Sequence, residues 1–188
     1  MMKKTGLIAG LFMFACSVAL GQNAKPAEKP AIADALNRSV SGVEGEFVPA
    51  VEAMPEEKFS YAPTNGEFKG VRTFAEQAKH VAAVNYMVGA AILEEKPPVD
   101  VGGESGPDAV KSKAEVLKYL KDSFAYLHKA VGTINESNLL APIKSPFGGG
   151  TTTRLGMAVL IVGHCFDHYG QIVEYLRTNG IVPPASRG

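Results

Sequence analysis

Tryptophan is absent, cysteine occurs only at Cys16 and Cys165, and neither charge sign is in excess, with 19 Lys and Arg against 19 Asp and Glu over 188 residues. Balanced charge, with no basic block after the first few positions, leaves no electrostatic footprint for nucleic acid, so nucleic-acid binding is excluded as a reading. Two cysteines cannot build a disulfide framework. If Cys16 departs with a leader, Cys165 has no intramolecular partner and the fold must be held by its core. With 46% hydrophobic residues, a chain of 188 residues supplies such a core for one domain.

The N-terminus reads as a targeting segment. Lys3 and Lys4 precede an apolar run from Gly6 to Leu20, and Ala19-Leu20-Gly21 places small residues at the two positions a signal peptidase inspects. The expected organisation is a signal peptide over residues 1–21, a linker over 22–30 rich in Pro, Ala and Lys, and one domain over 31–184. The run is too short for a comfortable membrane span, so export to the periplasm or beyond is expected, with no stable span after cleavage. Two other readings are a retained anchor helix and lipidation at Cys16, where Met13-Phe14-Ala15-Cys16 loosely resembles a bacterial lipobox.

Four amphipathic segments follow. Ile32, Leu36, Val40, Val43, Phe47 and Val51 recur at steps of three and four despite Gly42 and Gly45, which predicts a first helix over Ala31–Ala53. Thr73-Phe74-Ala75-Glu76 and Ser112-Lys113-Ala114-Glu115 have capping-box spacing, opening a second helix to about Leu93 and a third to about Val131. Thr152 or Thr153 caps the fourth, which Asn179-Gly180 ends before Pro183-Pro184. The stretch from Asn138 to Thr153, with Pro142, Pro146 and Gly148 to Gly150, reads as a loop, either lid or connector. Its glycines do not form a phosphate cradle, because no strand precedes them and no GK[ST] follows. With no convincing strand, the pattern predicts an all-α fold, a four-helix bundle.

The fourth helix carries the chemistry. Met157, Ile161, His164, His168, Ile172 and Tyr175 fall on one stripe, so both imidazoles turn inward. Side chains four residues apart sit about 5 to 6 Å apart at Cβ, close enough to converge on one divalent ion, which then needs a further ligand. Cys165 points about 100° away around the helix and reads as a small buried hydrophobe rather than a ligand or nucleophile. Two histidines remain. His80 lies at the edge of the second helix's stripe (Phe74, Gln77, Val81, Val84, Val88 and Ala91), where periodicity alone leaves a solvated side chain and a ligand both open. His128, near the end of the third helix, reads as surface or structural.

Four features carry a family resemblance: Met54-Pro55-Glu56-Glu57-Lys58-Phe59, a capping Thr73 seven residues before His80, His164-x3-His168-x-Gly170-Gln171, and the tail from Tyr175 to Pro184. The chain resembles the DinB-like superfamily of bacterial four-helix bundles, which includes thiol-dependent transferases resembling the YfiT group. The resemblance implies one divalent metal, commonly zinc or nickel, on His80, His164 and His168, with positions left open. It implies neither polymerase activity nor DNA contact. A homodimer is common among relatives.

Neutral imidazoles leave a bound metal its full charge, so that a water or thiol on it loses its proton near neutral pH. Three readings follow: a metal-dependent hydrolase or thiol transferase acting on an unknown small molecule, a metal-holding scaffold without turnover, and an interaction protein whose histidines serve packing. Asp167 and Gln171 are candidates for orienting a histidine, beside the plainer reading of a solvated Asp and a core-edge Gln. Tyr86, Tyr126 and Tyr169 are candidate pocket walls, although helical aromatics more often pack.

Overall fold

Both capping boxes form as the spacing requires. Thr73 Oγ1 accepts from the Glu76 amide while the Glu76 carboxylate accepts from the Thr73 amide, and Ser112 and Glu115 repeat the exchange. They open α2 (Phe74–Leu93) and α3 (Lys113–Val131). Preceding them is α1 (Ile32–Ala53), and α4 (Arg154–Thr178) follows, capped by Thr153 on the Gly156 amide. The computed structural model describes residues 31–66 and 69–188. The expected signal peptide, linker and lipidation at Cys16 lie outside the described residues.

Helix α4 stops where Asn179-Gly180 predicts. Gly180 takes a left-handed φ of 74°, and the amides of Gly180 and Ile181 donate to Arg177 and Leu176. Pro49 lies inside α1 and can donate no bond to the carbonyl four residues back. Gly45 occupies that position, and burial of Val43, Phe47, Val48 and Val51 keeps the helix docked.

Packing places α1 against α3 and α4, and α2 against the same two, so α1 and α2 face each other across the bundle. Phe47, Phe74, Leu120, Phe124, Ile161 and Leu176 fill the space between. Two basic side chains close helix ends that the chain itself leaves open. Lys113 Nζ donates to the carbonyls of Glu52 and Met54 at the end of α1, both at 2.7 Å. Arg154 Nε donates to the Ile92 carbonyl at 3.1 Å, and its guanidinium pairs with Glu94 at the end of α2.

The expected loop from Asn138 to Thr153 needs correction. Pro142–Lys144 (β1) and Thr151–Thr153 (β2) pair antiparallel, Ile143 opposite Thr152, and the Ser145 amide donates to the Gly150 carbonyl across the turn. Three β-branched threonines suit a strand, Pro142 sits at its edge where no ladder donor is needed, and buried Ile143 anchors the ribbon to the core. The four-helix bundle stands with this ribbon added.

Candidate metal centre

His80 projects from α2 toward His164 and His168 on α4; the three ring centroids are 4.5 to 5.0 Å apart, with His168 edge to face against both others and His80 tilted against His164. One nitrogen from each lies within 4.8 Å of the others. His80 Nε2 stands 3.0 Å from His164 Nε2. Two ligands of a tetrahedral ion with bonds of about 2.0 to 2.1 Å are about 3.4 Å apart, so a small opening of the pair separates this arrangement from a chelating one.

The outer nitrogens of two rings are held by the fold. His80 Nδ1 donates to the carbonyl of Glu104 at 2.5 Å. His168 Nδ1 donates to Gln77 Oε1 at 2.7 Å, Gln77 Nε2 donates to Gln171 Oε1 at 2.7 Å, and Gln171 Nε2 donates to Asp167 Oδ2 at 3.1 Å. This relay gives every amide one orientation and fixes the proton of His168 on Nδ1, leaving Nε2 as its free electron pair. His164 differs: its Nδ1 is buried without a partner. Two imidazoles with oriented lone pairs and a third beside them with unmet bonding capacity make a donor set that fits a borderline divalent ion.

Glu104 reaches His80 because the α2–α3 connection folds back on α2 in a short turn at Gly103–Ser105. Gly106 permits this, since its φ is 77° and a side chain there would lie 2.8 Å from Lys79 Cβ.

Electrostatics keep the rings neutral. Burial, and then the neighbouring imidazoles, push His164 and His168 down to about 4 from the ordinary 6.5, and burial lowers His80 against the opposing Glu104 carbonyl. Above about pH 6.5 a group of this kind is neutral in both folded and unfolded chains. Between 6.5 and 4 the unfolded chain takes up protons that the folded cluster refuses, so stability is lost as pH falls. Metal-free protein is therefore expected to unfold at lower urea concentration as pH drops through that window, and His168→Gln to flatten the slope. Equal slopes in the two proteins would contradict the assignment.

The cluster lines one side of a cleft of about 620 Å³, bounded also by Arg72, Glu104, Phe147, Leu160 and Asp167. A second cleft of about 820 Å³, between α2 and the β1–β2 ribbon, is larger but is lined by Met87, Glu94, Lys96 and Lys144 and contains no histidine. Ligand chemistry, rather than size, selects the first. His128 is elsewhere, tying α3 to α1 through Asn37 at 2.7 Å and Glu44 at 2.9 Å, the structural role expected of it. Cys165 is buried under Asn85 with its thiol pushed up to about 12, which leaves it neither ligand nor nucleophile. Tyr86 and Tyr126 pack against each other with tilted rings between α2 and α3, and neither they nor Tyr169 line the histidine cleft.

Sequence reasoning placed Gln77 in an apolar stripe and passed over Arg72, Glu104 and Phe147. A polar residue at a core position three before His80 was the available signal for Gln77. The others reach the cleft through loops or a helix boundary, where periodicity carries no information.

A helical bundle in which two facing helices bring three histidines to an open cleft defines a class: bundle proteins able to chelate a divalent ion. The profile of the DinB superfamily matches residues 41–172, and the chain belongs to that superfamily. The match includes His80, His164 and His168 but stops short of the tail from Tyr175 to Pro184. A search of curated proteins returned no match.

Proposed function

We infer that this DinB superfamily protein is exported and holds one divalent ion, zinc or nickel, on His80, His164 and His168, using it to activate water or a thiol toward a small electrophile. The convergence of the three ring nitrogens at the wall of an open cleft carries the reading. When bound, such an ion supplies Lewis-acid chemistry, making a water or thiol more acidic and more nucleophilic near neutral pH. The chain's own contribution is to orient and to desolvate. Glu104 holds His80, the glutamine relay holds His168, and burial keeps all three rings unprotonated at neutral pH. No fourth His, Cys, Asp or Glu joins the cluster among the described residues, which favours a reactive site over a closed structural one.

The test is elemental analysis of protein purified without a metal-affinity tag, followed by assays of thiol transfer to chlorodinitrobenzene and hydrolysis of p-nitrophenyl acetate. About one zinc or nickel per chain and metal-dependent turnover are expected. Metal without turnover would leave the scaffold reading. No metal after incubation with both ions would leave a bundle whose histidines serve packing. Export is checked by the mass of protein recovered from a bacterial periplasm, expected to begin at Gln22.

A further inference from the structure

Arg72 is a cation in the histidine cleft whose guanidinium has no partner among the described residues. It sits immediately before the Thr73 cap of α2, and its backbone is pinned because the Tyr175 hydroxyl donates to its carbonyl at 2.9 Å. Its half-buried side chain lines the cleft with all three histidines, close enough for its charge to bear on each ring. None of the ion pairs or side-chain hydrogen bonds among the described residues engages the guanidinium. A planar five-donor fork, anchored at its backbone and unpaired among the described residues, matches a carboxylate in a bidentate pair.

The rest of the wall narrows the choice. Phe147, Val159 and Leu160 line the same cleft at 40%, 61% and 39% exposure, large apolar surfaces beside a charged head site. Asp167 and Glu104 add two negative charges, which disfavour a dianion more than a monoanion. We propose that this cleft takes a small monocarboxylate with an apolar body, its carboxylate on Arg72 and its body along Phe147, Val159 and Leu160. The proposal rests on the reading of this cleft as the substrate site and makes Arg72 its specificity-determining residue.

The probe is octanoate, titrated by calorimetry into metal-free protein, with octanamide as the neutral counterpart. Octanoate is expected to bind roughly ten-fold more tightly than octanamide, and Arg72→Gln to weaken octanoate roughly ten-fold, the value of a charge-assisted pair. Arg72→Lys keeps the charge without the fork and should fall between. Lys144→Gln, in the other cleft, should change nothing. Unfolding midpoints near the wild-type value in each variant would show that the fold is intact, as a guanidinium without partners among the described residues predicts. Equal binding of octanoate by wild type and Arg72→Gln, equal binding of acid and amide, or a dimer that covers Phe147, Val159 and Leu160 and excludes octanoate would each overturn the proposal. Because the titration uses metal-free protein, failure here leaves the three-histidine reading standing, and that reading is tested separately by elemental analysis.

Discussion

Replacing His80 by alanine is expected to lower affinity for zinc or nickel by more than about 100-fold, because mutating even the outer partners of metal ligands commonly costs 10 to 100-fold. His80 is the only contribution of α2 to the cluster, and without it His164 and His168 remain as a pair on a single helix. The matched control is His128→Ala. That ring binds Asn37 and Glu44 on α1, so its loss should weaken the fold by about 1 kcal/mol and leave metal content unchanged. Competition with a chromophoric chelator measures both proteins. Equal retention of metal by His80→Ala and wild type would remove His80 from the site.

Gln77→Leu should be the next most damaging change, lowering metal affinity by about 10 to 100-fold without touching a candidate ligand. Gln77 is 2% exposed, and its amide is the link between the His168 Nδ1 proton and Gln171. Leucine fits the volume but accepts nothing, so the buried Nδ1 proton loses its acceptor and the ring can turn or change tautomer. Gln77→Glu keeps an acceptor facing His168 and is expected to retain affinity within about ten-fold of wild type. Nitrogen chemical shifts of the metal-free protein provide a readout independent of metal: His168 should be a pure Nδ1–H tautomer in wild type and a mixture in Gln77→Leu. An unmixed tautomer and unchanged affinity in the leucine variant would reduce Gln77 to packing.

These two positions also mark how far one-dimensional pattern reaches. His164 and His168 were legible as a pair because helical geometry alone fixes residues four apart on one face. His80 was not, since its placement opposite them depends on the rotation of α2 against α4. Resemblance to the DinB-like superfamily supplied that placement, and the fold brings the three rings together. Gln77 shows the limit more sharply: its position in the stripe was read correctly as buried, yet what a buried amide bonds to is decided by another helix.

The sequence by itself determined where the helices begin and end, which face of each turns inward, and that Cys165 has no disulfide partner once Cys16 is set aside. Those are local matters: a capping box closes within three residues, a left-handed glycine ends a helix in place, and burial follows a repeat of about 3.6 residues. Tertiary structure alone decided the relay from His168 through Gln77 and Gln171 to Asp167, the Glu104 carbonyl behind His80, the entry of Arg72 and Phe147 into the cleft, and the β1–β2 ribbon. Each joins groups from separate elements or from loops, whose meeting is set by how the helices rotate and cross and how the connections run back over them, quantities that hydrophobic periodicity does not encode.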